Sequence, residues 1–137
     1  MDKVEFDGTF NDYQNKSEKT ALYMEKVDEF YPSLPEEVRD MIALGYISSG
    51  LGEVGEIQGK IKKLIRDKGG AWEADDSLEV MKELSDLLWY CARLADFFNF
   101  ELGAVAQINL DKLYSRMERG KIRGSGDNRW GYSYSII

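Results

Sequence analysis

Apolar residues recur along most of this chain at intervals of three and four, the repeat that gathers them on one face of an α-helix. Phe10, Tyr13, Thr20, Ala21, Met24 and Val27 predict a first helix over roughly 10–30, with Thr9 and Asp12 resembling a capping box at its start. The Tyr31-Pro32-Ser33 turn ends it. A second helix is expected from near Leu34, opened by Ser33 and Glu36 as another capping box, with Pro35 in the first turn where proline is tolerated. Its stripe runs through Ala43, Ile47, Leu51, Val54, Ile57, Ile61 and Ile65 until Asp67-Lys68-Gly69-Gly70 closes it. Five glycines from Gly45 to Gly59 interrupt that stretch at about 1 kcal/mol each relative to alanine, which predicts close packing or a bend near Ser48-Ser49-Gly50.

A third helix is expected at about 77–98, after the acidic loop around Glu73-Ala74-Asp75-Asp76, because Val80, Leu84, Leu87, Leu88, Cys91, Leu94 and Phe98 share a face. From Leu84 to Phe98 it is apolar nearly all round, which predicts a central position, and a subunit interface as well. Leu102, Val105, Ala106, Leu110, Leu113 and Met117 mark a fourth helix over about 101–119, ended by Gly120. The segment Gly124-Ser125-Gly126-Asp127-Asn128-Arg129-Trp130 reads as a glycine-rich loop. Both prolines lie at 32 and 35, so the expected fold is all-α, a four- to five-helix bundle in a single domain spanning 1–137.

Charge narrows the chemistry. Eighteen basic residues against 25 acidic ones give a net charge of −7, the wrong sign for holding the phosphates of a duplex. The absence of histidine removes Ser-His and Cys-His nucleophile pairs and every histidine metal site. One cysteine, Cys91, excludes an intrachain disulfide and a cysteine-cluster zinc site. The start lacks the basic and apolar regions of a signal peptide and there is no 18-residue apolar run, so a cytoplasmic protein without a membrane segment is expected.

Hydrolytic chemistry is left to carboxylates. Acidic residues three apart are common in so acidic a chain, so spacing alone says little, whereas position around the helix says more. At about 100° per residue, Glu53, Glu56 and Lys60 fall to one side of the apolar centre at Val54, and Glu83, Asp86 and Tyr90 take the same angles about Leu84. Antiparallel packing of the two helices would bring four carboxylates together. Both pairs could instead be solvated helix faces, but Asp86 is flanked by Leu84, Leu87, Leu88, Trp89 and Tyr90, where an uncompensated carboxylate is costly. A hard divalent cation, Mg²⁺ or Mn²⁺, relieves such a cluster, and carboxylates with Mg²⁺ point to phosphate chemistry. Lys60, Lys63 and Arg66, and on the fourth helix Asn109, Lys112 and Arg116, supply polar and positive groups. Trp89 and Tyr90 are candidates for core packing or for stacking on a base.

Leu51-Gly52-Glu53-Val54-Gly55-Glu56-Ile57, then Lys82-Glu83-Leu84-Ser85-Asp86-Leu87-Leu88-Trp89-Tyr90, then Asn109-Leu110-Asp111-Lys112-Leu113 with Arg116, and finally Gly124 to Arg129, resemble the MazG-like nucleotide pyrophosphohydrolases of the all-α NTP pyrophosphatase superfamily. The resemblance covers about 44–129. It implies a helical bundle assembled as a homodimer or homotetramer that hydrolyses nucleoside triphosphates to monophosphates and pyrophosphate with Mg²⁺. It also implies metal ligation and catalysis by Glu53, Glu56, Glu83 and Asp86, and phosphate or sugar contacts from Lys60, Asn109, Lys112 and Arg116. Asp127 and Arg129 would belong to a loop closing over the nucleotide. Many members carry a glutamate where this chain has Gly52, and the usual glycine before the second motif's aspartate is Ser85 here. The first departure leaves a second reading open, a noncatalytic oligomeric module that binds nucleotide or a partner helix.

Overall fold

Helices form where the periodicity places them, but two of the four expected ones are broken. The computed structural model describes residues 4–120. Within them the order is α1 (Phe10–Glu18), α2 (Tyr23–Phe30), α3 (Glu36–Gly50), a 3₁₀ turn (Leu51–Glu53), α4 (Val54–Lys68), α5 (Ala74–Phe97) and α6 (Leu102–Glu118), with no strand among the described residues. The expected central helix is α5, against which α1, α3, the 3₁₀ turn, α4 and α6 all pack, while α2 lies on α3 and α6 also meets α1. No described helix is long and apolar enough to cross a membrane.

The first break replaces one helix over 10–30 by α1 and α2. Thr9 caps α1 as expected, its hydroxyl accepting from the Asp12 N–H at 3.1 Å. At the other end the Thr20 hydroxyl donates to the Ser17 carbonyl at 2.7 Å, competing with the helical ladder. The buried Arg93 of α5 completes the stop, its Nη2 donating to the Gln14 carbonyl at 2.7 Å and to Ser17 Oγ at 2.8 Å. A cation is favourable at a helix C-terminus, and this one arrives from across the bundle. Periodicity within 10–30 carries no trace of it.

The second break is the bend expected near Ser48-Ser49-Gly50. Here α3 tightens into the 3₁₀ turn before α4 begins, and a Cβ added at Gly50 would collide with the Tyr90 ring, so only glycine lets α5 approach. Gly69, with φ +63°, closes α4 in the left-handed conformation. Two expectations fail locally. Ser33 does not cap α3, which starts at Glu36 with Pro35 as its cap, the Pro35 carbonyl accepting from Val38 and Arg39. In turn α5 starts at Ala74 rather than 77, because Glu73 and Asp76 form a capping box in what read as an acidic loop.

Ala92, Ala95 and Leu102, with Tyr13 and Leu88 against them, form the core where α1, α5 and α6 meet. Alanines there let helix backbones come close. Two side chains of α1 fasten α6 to this core: Gln14 Oε1 accepts from the Leu102 N–H at 2.7 Å and Asn11 Oδ1 from the Gly103 N–H at 2.9 Å. Both are first-turn donors that the helix itself cannot satisfy.

Candidate metal centre

The 3₁₀ turn sets Glu53 at the junction of α3 and α4, facing the face of α5 that carries Glu83 and Asp86 one turn apart. One carboxylate oxygen from each of these three lies within 4.8 Å of the other two. Like charges at such spacing repel by about 1 kcal/mol per pair in water and by several at a lower effective dielectric, so the group is a natural receptor for a hard cation. Glu56 stands outside this group, exposed on the first turn of α4. A helical wheel at constant angle does not describe the 53/56 pair, because Glu53 belongs to the tight turn and Glu56 to the α-helix after it.

Burial within the group corrects the sequence argument. Asp86 is exposed, whereas the Glu83 side chain retains only 18% of its accessibility. Sequence neighbours such as Leu87 point to other sides of a helix and cannot bury the residue beside them. Lys60, one turn beyond Glu56 on α4, places Nζ 3.4 Å from Glu83 Oε1 and 3.1 Å from Glu79 Oε2. The hydrogen bond to Glu79 holds the ammonium's pKa above its ordinary value. Glu79 in turn is held below the usual carboxylate range, first by its bond from Lys82 and then by Lys60.

Tyr90 closes the other side. Its hydroxyl is hydrogen-bonded to Tyr46, and that bond, with some burial and the nearby Glu53 and Asp86 charges, pushes its pKa up to about 12. Trp89 stands edge-on to Tyr90, at 5.0 Å between ring centroids, and donates from Nε1 to Thr20 Oγ1 at 2.8 Å. Trp89 therefore ties α5 to the α1–α2 junction, and Tyr23, Tyr46 and Tyr90 continue the ring cluster toward the carboxylates.

The family model of the MazG nucleotide pyrophosphohydrolase domain matches residues 44–120. The chain belongs to that family. A curated relative, the Gene 37 protein of Mycobacterium phage L5, is 48% identical over 87 residues, covering 63% of this chain and 76% of that protein. No solved structure matches. The MazG match takes in α4, α5 and α6 whole, with the end of α3 and the 3₁₀ turn, and so contains every carboxylate of the cluster.

Of the residues this family membership draws attention to, Glu53, Glu83 and Asp86 come together and Lys60 joins them, while Glu56 is exposed and outside the group. Asn109, Lys112 and Arg116 follow one another along α6, which packs on α1 and α5; Asn109 is exposed, the other two are half-buried, and Arg116 Nε is buried with no hydrogen-bond partner. Asp127 and Arg129 lie outside the described residues. Glu79 and Tyr46 were missed. Glu79 carried a usable signal, since it lies one turn before Glu83 on the same face; Tyr46 carried none, because its partner is 44 positions away.

Proposed function

We propose that this protein is a Mg²⁺-dependent (d)NTP pyrophosphohydrolase, splitting a nucleoside triphosphate and water into the monophosphate and pyrophosphate. The observation that carries this reading is the convergence of the Glu53, Glu83 and Asp86 oxygens within 4.8 Å in a chain of the MazG family. All three donors are carboxylate oxygens, the set that suits Mg²⁺ or Mn²⁺. When bound, the cation offsets phosphate charge and makes water a better nucleophile. The chain's part is to hold that cation with Glu53, Glu83 and Asp86 and to present Lys60 to phosphate oxygens. Glu56, exposed on the first turn of α4 one turn from Glu53 and Lys60, is the candidate for a further ligand or for the base that Gly52 does not supply. Asn109, Lys112 and Arg116 of α6 are proposed for phosphate and sugar contacts, with Asp127 and Arg129 from the tail.

The active form is proposed to be a cytoplasmic homodimer or homotetramer. Met81 and Leu84 on α5 are 59% and 55% exposed, and Ile61 and Ile65 on α4 are 45% and 63% exposed, apolar surface of the kind that subunit contact covers. Light scattering at micromolar concentration should give a multiple of 15.7 kDa. Activity is tested by pyrophosphate release from a panel of ribo- and deoxynucleoside triphosphates with and without Mg²⁺. Release from none of them overturns the enzymatic reading and leaves the nucleotide-binding module.

A further inference from the structure

Lys60 is held from two sides by carboxylates of different standing. Glu83, at 3.4 Å, belongs to the three-oxygen group; Glu79, at 3.1 Å, does not. Glu79 uses its second oxygen to accept from Lys82 Nζ at 2.6 Å, so it is fixed between two ammonium groups. An ammonium and a divalent cation compete for the Glu83 carboxylate, since each is a compact positive charge seeking oxygen donors. A recess of about 160 Å³ between α4 and α5, lined by Lys60 and Glu79 with Lys63, Lys68, Asp67 and Asp76 but not by Glu83, gives the Lys60 ammonium room on the Glu79 side.

We infer that Glu79 is a positioning residue: it draws the Lys60 ammonium toward itself and so leaves Glu83 open to a divalent cation. The inference rests on the metal reading of the previous subsection. Without Glu79, the remaining carboxylate within 4 Å of Lys60 is Glu83, and a cation would have to displace the ammonium from it. With Glu79 present, the ammonium moves by a small swing of a flexible side chain and keeps a salt bridge throughout. Lys82 bonds the far oxygen of Glu79 and so keeps the near one turned to Lys60.

Titration calorimetry with Mg²⁺ on the full chain tests this in wild type, Glu79→Gln, Lys60→Met and the double variant, with circular dichroism to verify folding. Glu79→Gln should weaken Mg²⁺ binding about two- to fivefold, the scale of one exposed ion pair. Lys60→Met should tighten it, and in the Lys60→Met background Glu79→Gln should change little, because its effect runs through the ammonium. Equal weakening in both backgrounds would show a direct effect of the Glu79 charge and overturn the inference, as would unchanged affinity in Glu79→Gln. Wild type that takes up no Mg²⁺ would instead remove the metal reading itself, and this inference with it.

Discussion

Toward its C-terminus α5 buries Ala92, Arg93 and Ala95, whereas the turns that carry Glu83 and Asp86 leave Met81 and Leu84 more than half exposed. Beside the first region, α1 and α6 are fastened by side-chain hydrogen bonds between residues 88 and 92 positions apart. Beside the second, α4 contains no buried residue and is joined to α5 by exposed or half-exposed ion pairs such as Lys60–Glu79 and Lys68–Asp76. One helix therefore serves as core at one end and as a charged, open scaffold at the other. Burial supplies most of a domain's stability, while surface ion pairs contribute at most about 1 kcal/mol each. The acidic end is the region that a cation or a second copy has most to stabilise.

The strongest way to break this contrast is at Arg93, which is 1% exposed and held through its two Nη atoms by Gln14, Ser17 and Asp96, with its guanidinium 5.7 Å from the Trp89 ring. Arg93→Ala empties a buried volume, leaves Asp96 without its 2.7 Å partner and frees the end of α1. It should cost about 3–5 kcal/mol in urea unfolding. A cost below 1 kcal/mol would mean that the core end is not the stabilising one.

Asp86→Asn probes the other end and should do the reverse. Mg²⁺-dependent turnover is expected to fall ~100-fold, about 2.7 kcal/mol of lost transition-state stabilisation. Melting of the metal-free protein should stay level or rise, because one of three mutually repelling charges is gone, and the rise in melting temperature on adding Mg²⁺ should disappear. Glu37→Gln and Asp40→Asn, at the same spacing on α3, should alter neither property. Full activity in Asp86→Asn, or equal losses in the controls, would remove the shared site.

The smallest effect lies where the two regions meet, at Tyr90. Its folded pKa of about 12 exceeds the ordinary 10.0, so the folded state holds the proton more tightly than the unfolded state. The corresponding stability is present in full below about pH 10 and is lost as pH rises toward about 12. Tyr13 and Tyr23, raised by burial, act in the same direction. Tyr46→Phe keeps the ring but removes the hydrogen bond, so melting temperature should fall less steeply over this interval than in wild type. Identical slopes would mean that the Tyr46–Tyr90 bond does not govern the alkaline limit.

Several features were legible because their cause is local. The Thr9 cap and the Gly69 stop each follow from a residue type and its immediate neighbours, and the run of glycines signals the break after Gly50, although it is the distant Tyr90 ring that demands glycine there. The helix face shared by Glu83, Asp86 and Tyr90 follows from spacing alone. Other features depend on partners far along the chain. The break between α1 and α2 needs Arg93, and the start of α6 needs Asn11 and Gln14. The placing of Glu53 without Glu56 in the oxygen group needs the 3₁₀ turn, a local tightening that an even helical wheel smooths away.

By itself the amino-acid sequence determined that this chain is helical, that α5 is central and that acidic pairs flank two apolar stripes, because periodicity and composition are properties of consecutive residues. Tertiary structure decided which carboxylates meet, that Lys60 is shared between Glu79 and Glu83, and that Asp86 is open while Glu83 is covered. The reason is geometric. A helix sets the angle of each side chain about its own axis, but the distance between side chains on different helices exists only once the helices pack.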